Sequence, residues 1–545
     1  MKSVYLYIFC SFFLLLSCKQ ENETEKDTRT AFRYNESAGI TSLDPAFASN
    51  VENVWATNQL FNGLVQLNDK LGIEPCIAKS YEISGDGLTY TFYLRDDVYF
   101  HDHELFENGK GRKVIASDFI YSFSRIINPG GTSPGKWIFN NIDSSVEMAF
   151  TAIDDYTLKI NLLKPVPPFL GILTMQYCSV VPSEIVEHYG LDFRNHPVGT
   201  GPFKFKMWKE GVKLIFVKND NYFEKDEDGN SLPYLDAVSI SFLNDPQAAF
   251  LEFVKGELDF ISGLDELPKT EVLTLTGKLN PKYESKFKMQ SHPYLRTDYL
   301  GILVDQQLEI VKNSPLKIKA VRQAINYGID RKTMVIYLRN NIGMPATAGI
   351  VPYGMPSFDA QKVTGYNFDP NKARELLSEA GFPNGDGLPE ITLSTTADYT
   401  DMCEAIQNQL ADIGIKIKID VNPMVTLKEL VAKSAVNFYR KNWFADYADA
   451  ENYLALFYSK NFSPAGPNYS HFKNDRYDKL YEEAQQQKID SVRYEYYRQM
   501  DQIIMDEAPL VVLYYDAVLK LVQNNISGLS NNPMNLLILK SVKKQ

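Results

Sequence analysis

Cysteine is scarce in this chain, and the few cysteines are scattered. Of the five in 545 residues, only Cys76, Cys178 and Cys403 lie beyond the amino-terminal segment. An odd, dispersed set forms neither a disulfide framework nor a zinc site. A single Cys76–Cys178 bridge stays open on sequence grounds.

An excess of positive charge is also missing. Lysine and arginine number 56 against 68 aspartates and glutamates, which gives a net charge of −12. Nucleic-acid binding needs a basic face, so this function is excluded. Long hydrophobic runs are absent too: the apolar run at 4–16 is too short to span a bilayer comfortably, and no later stretch reaches eighteen apolar residues.

Familiar catalytic motifs are not found. The chain has no G-x-S-x-G, P-loop or H-E-x-x-H sequence, and the Gly-Thr-Gly at 199–201 runs into proline rather than a dinucleotide fingerprint. The His-Asp-His at 101–103 reads as a strand entering a polar turn, and the acidic 225–236 segment as a hairpin with Asp228-Gly229 at its tip. We therefore predict no catalytic residue, metal or cofactor. An enzyme with dispersed catalytic residues remains an alternative.

The amino-terminal segment has the pattern of an export signal. Lys2 precedes the apolar run, which ends in Leu-Leu-Ser before Cys18. This ending resembles the lipobox of bacterial lipoproteins, in which the cysteine is acylated and several acyl chains give stable anchoring. We expect a signal peptide at 1–17, lipidation of Cys18 and a flexible polar tether at 18–30. A plain secretory signal is the alternative.

The first third of the chain is rich in strand patterns. Residues 88–100 alternate with many β-branched and aromatic side chains, and 156–170 is a strand that prolines terminate. Between them, residues 118–127 have helical spacing, with Ser117 as the predicted N-cap.

From about residue 310, helices and strands alternate. Asp330 is placed to cap one helix, and Asp369 precedes Pro370 at the start of another that ends before Gly381. Near the end, 508–522 reads as a buried strand. Strand–helix–strand units of this kind predict an α/β lobe to which the last strand returns.

Nine segments, in order, resemble the family-5 solute-binding proteins of ABC importers, which include oligopeptide- and dipeptide-binding proteins. They are SLDPAFASN (42–50), LFNGLVQLN (60–68), CIAKSYEISGDGLTYTFYLRDDVYFHD (76–102), VIASDFIYSFSRIINP (114–129), PVGTGPFKF (197–205), NDNYF with LPYLDAVSI (219–240), VRQAINYGIDRKTMV (321–335), ARELLSEAGF (373–382) and PLVVLYY (509–515). The resemblance covers almost the whole chain after the tether.

This resemblance implies an α/β fold, the two-lobe periplasmic-binding-protein type II clamp. The first lobe would take 31–76, 197–290 and 509–545, with a β-rich subdomain at 77–196. The second lobe would take 291–508, and ligand would be captured by hinge closure.

The resemblance also gives the segment KNWFADYADAENYL (441–454) a role. Its Trp443 and Asp446 match a W-x-x-D motif whose aspartate pairs with the α-ammonium of a peptide. Trp443 would form a wall of the site. Backbone groups for an extended peptide would come from two sides: Asn442 and Phe444 on one, and Ser49, Asn50 and Val51 on the other.

Two arginines stand where peptide binders place cations for the ligand carboxylate. These are Arg440 and Arg339, for which a surface salt bridge is the alternative. Tyr514 or Tyr515 is expected nearby. Phe444 stands where the best-known oligopeptide binder has a disulfide-bonded cysteine, so ligand length stays open.

The sequence therefore predicts a monomeric, lipid-anchored, extracytoplasmic protein that captures peptides for an ABC transporter permease. The anchor would face the periplasm, with outer-membrane or surface display as further options. The same fold binding an oligosaccharide or metal chelate is an alternative, and a surface hydrolase is another. A neutral sugar has no use for a lone buried carboxylate at Asp446, so this residue separates the first two hypotheses.

Overall fold

The computed structural model describes residues 30–127, 133–142, 146–263 and 267–545. The predicted signal peptide, the lipidation of Cys18 and nearly all of the predicted tether lie outside these ranges.

The strands follow from short runs of β-branched and aromatic residues. In the described ranges they are β1 Ala31–Asn35, β2 Val65–Leu67, β3 Ile73–Pro75, β4 Ala78–Ile83, β5 Thr89–Leu94, β6 Phe150–Asp154, β7 Thr157–Asn161, β8 Phe203–Lys209, β9 Lys213–Lys218, β10 Ala237–Ser241, β11 Phe260–Ser262, β12 Phe287–Ile302, β13 Met344–Pro345, β14 Ile391–Thr395, β15 Ile417–Val421, β16 Phe438–Phe444, β17 Leu510–Gln523, β18 Ile526–Ser527 and β19 Lys543–Lys544.

The α-helices concentrate in the second half of the chain. In the same ranges they are α1 Val51–Leu60, α2 Ala116–Ile127, α3 Val146–Ala149, α4 Phe169–Ile172, α5 Ser183–Tyr189, α6 Pro246–Val254, α7 Lys269–Val272, α8 Glu309–Lys312, α9 Lys319–Tyr327, α10 Arg331–Leu338, α11 Pro370–Glu379, α12 Thr400–Ala411, α13 Met424–Ala432, α14 Glu451–Leu454, α15 Asp475–Ala484 and α16 Asp490–Glu507. No helix in the described ranges has both the length and the apolar character needed to cross a membrane.

One large mixed sheet runs through the molecule in the order β15-β14-β16-β12-β17-β11-β1-β10-β9-β8. Its two longest strands, β12 and β17, lie side by side in the middle and pair antiparallel, with a break in register between Pro293 and Thr297. They connect the half around β1, here called the first lobe, to the half around β14, here called the second lobe. The predicted buried strand at 508–522 is β17.

A separate four-stranded sheet, β4-β5-β7-β6, is inserted in the first lobe. Helix α2 packs on it through Phe123, whose ring centroid lies 5.3 Å from that of Phe150. The predicted helix is confirmed, but Ser117 as its N-cap is wrong because the helix already begins at Ala116. Instead, Asp118 in the first turn accepts the Ile115 amide at 2.9 Å.

The caps predicted in the second lobe are confirmed. Asp330 accepts the amide of Thr333 at 3.1 Å, and Asp369 accepts the amide of Lys372 at 2.9 Å. Gly381 follows α11 with φ +89°, a left-handed conformation that glycine adopts without strain. These helices cover the sheet over an apolar cluster that includes Leu300, Ile302, Leu393 and Phe438.

The Gly-Thr-Gly motif at 199–201 has a packing role. Gly201 donates its amide to the carbonyl of Leu60 at 2.8 Å. A Cβ on Gly199 would stand 2.1 Å from that same carbonyl oxygen. The motif lets this loop pass directly against the end of α1.

The remaining polar motifs are structural. Cys76, Cys178 and Cys403 are free and buried, so the bridge left open by sequence is not formed. The imidazole of His101 contacts the Gly201 carbonyl oxygen at 2.9 Å, and burial lowers its pKa to about 4. The predicted turn at 228–229 is present, with Gly229 at φ +83°.

Candidate functional site

The segment 441–454 lies where the two lobes meet. Strand β16 pairs with β12 up to Phe444, opposite Arg296. The chain then leaves the sheet, with the amide of Ala445 donating to the carbonyl of Leu295 at 2.9 Å. Asp446 is thus held at the end of a central strand, beside the two strands that connect the lobes.

An asparagine positions both key side chains of this segment. Asn452 donates its side-chain amide to Asp446 Oδ2 at 3.2 Å, and its Oδ1 accepts the indole N–H of Trp443 at 2.7 Å. The same Oδ1 accepts the backbone amide of Asp446 at 3.3 Å. One side chain therefore fixes the carboxylate and the indole relative to each other.

Among the described residues, no cation pairs with the Asp446 carboxylate. It is partly buried, and within the described residues it forms no ion pair. Burial raises its pKa above the usual value, against the opposing hydrogen bond from Asn452. Its charge also acts on the first lobe. Burial, and to a smaller extent the charge of Asp446, raise the pKa of Tyr177 to about 12.

A cavity of about 100 Å³ lies between the lobes at this carboxylate. The second lobe contributes Phe444 and Asp446 to its lining. The first lobe contributes the predicted segment Ser49, Asn50 and Val51, together with Trp55 and Tyr177. Asn50 also caps α1 by accepting the Asn53 amide at 3.0 Å. The structure thus brings two predicted groups, far apart in sequence, to one space.

A larger cavity of about 810 Å³ adjoins the same aspartate. Trp443 lines it, as does Trp137 from the inserted subdomain of the first lobe. Asn442 lines neither of these two cavities and pairs with Asp298 in the sheet. Trp443, which was predicted to form a wall of the site, therefore lines the larger cavity, whereas Phe444 lines the smaller one.

Arg440 and Arg339 lie inside a buried ion-pair cluster. Asp298 forms ion pairs with Arg440 and with Arg296, the latter at 3.0 Å. Asp516 forms ion pairs with Arg339 and with Arg296, the latter at 3.5 Å. Burial opposes ionisation of Asp298, yet Arg296 and Arg440 hold its pKa below the usual value. The surface salt bridges considered as an alternative for Arg440 and Arg339 are not formed, because both arginines take part in buried ion pairs.

This cluster carries one positive charge in excess, because three guanidinium groups face two carboxylates. Arg440 is 7% exposed, and its Nε has no hydrogen-bond partner. Its guanidinium carbon lies 3.1 Å from the ring centroid of Tyr399. Neither Arg440 nor Arg339 lines the two cavities described above.

The two predicted tyrosines are buried beside this cluster. The hydroxyl of Tyr514 accepts a hydrogen bond from Arg339 Nη1 at 3.2 Å. Tyr515 donates its hydroxyl to the carbonyl of Gly349 at 2.7 Å and packs against Phe358. Tyr514 belongs to the arginine cluster, and Tyr515 stabilises the second lobe.

Several residues at the site were not predicted from sequence. These are Asn452, Tyr177, Trp137, Arg296, Asp298 and Asp516. Tyr177, Trp137 and Asp516 act through partners that are distant in sequence, so no spacing rule marks them. Asn452 lies only six residues from Asp446, but no sequence pattern marks its hydrogen bonds.

Comparison with known proteins gives the family. The model for bacterial extracellular solute-binding proteins, family 5 Middle, matches residues 72–464. The chain belongs to this family. Members bind a ligand outside the cytoplasm and deliver it to an ABC transporter permease.

Relatives and solved structures agree with this assignment. The glutathione-binding protein GsiB of Salmonella typhi is 27% identical over 498 residues, which cover 90% of each chain. The periplasmic binding protein DppA of Helicobacter pylori, solved with the peptide STSA, is 26% identical with TM-score 0.74, over 95% of this chain and 98% of that one. HbpA2 of Haemophilus parasuis has TM-score 0.80 at 24% identity, over 94% and 100%. The predicted type II binding-protein fold is confirmed.

Proposed function

We propose that this family-5 protein captures peptides with a free α-ammonium by closing its two lobes. It then delivers them to an ABC importer. The observation that carries the proposal is the carboxylate of Asp446, which borders the inter-lobe cavity and forms no ion pair within the described chain. In the part of the chain that the structure describes, this negative charge has a hydrogen bond from Asn452 but no cation beside it.

A primary ammonium fits this position. It supplies three N–H donors and a full positive charge. Hydrogen bonds to charged groups are each worth about 1.5–3 kcal/mol, more than neutral ones. Because Asn452 already orients the carboxylate, little side-chain entropy is lost when the ammonium binds.

The narrow cavity suits an extended main chain. Phe444 ends a strand on one side, and residues 49–51 begin α1 on the other. Backbone groups at these two edges can bond a peptide as an added strand, which gives affinity without reading side chains.

The spacing of residues along β16 supports a short peptide ligand. Alternate residues of a strand share a face, so Arg440 lies on the face of Phe444. Four residues of strand place them about 13 Å apart, which matches roughly four residues of extended peptide. We assign the ligand carboxylate to Arg440, which borders neither cavity in this conformation. The assignment is supported by the excess positive charge of the cluster and by an Nε that has no hydrogen-bond partner among the described residues. Arg339 contributes to the positive charge of the cluster and is held there by its ion pair with Asp516.

The lobes already touch beside the site. Tyr447 of the second lobe belongs to the apolar cluster of the first, and its ring lies 6.0 Å from that of Trp137. This contact supports closure as the capturing movement.

The proposal also includes domain boundaries at residues 76, 196, 290 and 508, a lipid anchor at Cys18 and a monomeric state.

Calorimetry with defined solutes tests this function. Ala-Ala-Ala is expected to bind, whereas N-acetyl-Ala-Ala-Ala and maltotriose are not. Mass spectrometry of the same mixtures should recover the peptide intact, because no hydrolysis is involved. Binding of maltotriose without Ala-Ala-Ala, or consumption of the peptide, would contradict the proposal.

A further inference from the structure

The cavity of about 810 Å³ has Asp446 in its lining but not residues 49–51. Asp446 borders both this cavity and the smaller one. The carboxylate of Asp446 is therefore shared by the two cavities. An α-carbon whose ammonium binds there can send its main chain into one space and its side chain into the other.

The walls of the large cavity combine aromatic rings and side-chain amides. The rings are Trp137, Trp443, Tyr447, Tyr458 and Tyr481, and the amides are Asn140, Asn141, Asn452, Asn461, Gln485 and Gln486. Tyr458 and Tyr481 are stacked, with centroids 4.3 Å apart. Aromatic faces attract cations, amides accept hydrogen bonds from them, and the volume suits a large polar group.

A second carboxylate, that of Glu451, lines this cavity. Glu451 accepts hydrogen bonds from the hydroxyls of Tyr447 and Tyr481, one on each oxygen. Within the described residues it forms no ion pair, and burial raises its pKa against these two bonds. Each carboxylate oxygen can accept a further hydrogen bond. The tyrosines thus hold Glu451 in place without neutralising it.

The other charges on the walls nearly cancel. Lys460 pairs with Glu482 at 2.7 Å. Lys164 is exposed on the wall from the inserted subdomain and opposes a cationic ligand. Once an ammonium occupies Asp446, Glu451 is the partly buried carboxylate of this cavity that forms no ion pair within the described residues.

We propose that this cavity is the side-chain subsite for the first residue of the peptide, and that Glu451 makes it select arginine or lysine. The inference rests on the proposed function, since it requires the α-ammonium at Asp446. Arginine fits best, because its planar guanidinium forks onto a carboxylate and stacks on aromatic rings.

Calorimetry with three tripeptides tests the subsite: Arg-Ala-Ala, citrulline-Ala-Ala and Ala-Ala-Ala. Citrulline has nearly the shape of arginine without its charge. We expect Arg-Ala-Ala to bind at least tenfold more tightly than the citrulline peptide. Glu451→Gln should abolish most of this difference.

An exposed position supplies a second variant that keeps the fold. Lys164→Glu should tighten Arg-Ala-Ala severalfold relative to citrulline-Ala-Ala. Equal affinity of the arginine and citrulline peptides for the native protein would overturn the subsite, as would an unchanged preference in Lys164→Glu. If Ala-Ala-Ala binds and no preference exists, only this inference fails. If none of the peptides binds, the proposed function fails as well.

Discussion

Replacing Asp446 with asparagine removes the charge on which the proposed site depends and preserves its shape. Losing one member of a buried charge pair costs about 2–5 kcal/mol. At about 1.4 kcal/mol per tenfold, this is roughly 30-fold to several thousand-fold in Kd. Because Asp446 is only partly buried, we expect the lower part of this range for Ala-Ala-Ala. Alanine at this position should cost at least tenfold.

Stability should not fall in this variant. Asp446 forms no ion pair within the described residues, and its raised pKa shows that the fold disfavours its charge. The melting temperature of Asp446→Asn should equal or exceed that of the native protein.

A matched control lies three residues away. Asp449 pairs with Arg493 at 2.9 Å, and both side chains are buried. Breaking such a pair costs about 3–5 kcal/mol of stability. Asp449→Asn should therefore lower the melting temperature and largely retain peptide affinity, the reverse of Asp446→Asn.

Calorimetry with free and N-acetylated Ala-Ala-Ala completes the cycle. The native protein should lose affinity on acetylation by about the factor that Asp446→Asn loses. The variant should bind both peptides equally. Native-like affinity of Asp446→Asn for the free peptide would refute the assignment of the ammonium to this carboxylate.

Three further predictions follow from the contacts. Burial raises the pKa of Asp446, and only its ionised form pairs with an ammonium. Peptide affinity, titrated from neutral to acidic pH, should be complete above this pKa and decline as the pH falls through it, but Asp446→Asn should show no such decline. Asp298→Asn leaves two guanidinium groups without their shared carboxylate and should cost about 3–5 kcal/mol in urea unfolding; an unchanged midpoint would show that the cluster is not stabilising. Gly199→Ala places a Cβ 2.1 Å from the Leu60 carbonyl oxygen and should lower the free energy of unfolding by about 1–3 kcal/mol. Gly39→Ala is the control: its Cβ would have no atom within 4 Å, so the only cost is the backbone strain of φ +76°.

Local features of the fold could be predicted well from the sequence. Asp330 and Asp369 cap helices because the bond runs to an amide only three residues ahead. Ser117 was a wrong cap because α2 already includes Ala116, one residue earlier. Asp118 is engaged by Arg112 at 2.7 Å, and this ion pair accompanies a helix start at Ala116.

The site could be predicted only in part. The W-x-x-D motif pointed to Asp446, and the wider family resemblance pointed to residues 49–51; the structure brings both to one cavity. The surroundings of Arg440 could not be foreseen, because its partner Asp298 lies 142 residues earlier on the neighbouring strand. The role of Glu451 depends on Tyr481, 30 residues away, through a contact that no local pattern encodes.

The most direct measurement concerns what the protein selects from a mixture. The purified protein would be unfolded, freed of ligand, refolded and incubated with a tripeptide library and its N-acetylated counterpart. Mass spectrometry would then identify what is retained. The proposed function predicts enrichment of peptides with free amino termini and loss of this enrichment in Asp446→Asn. Equal retention of acetylated and free peptides, or of neither, would contradict it.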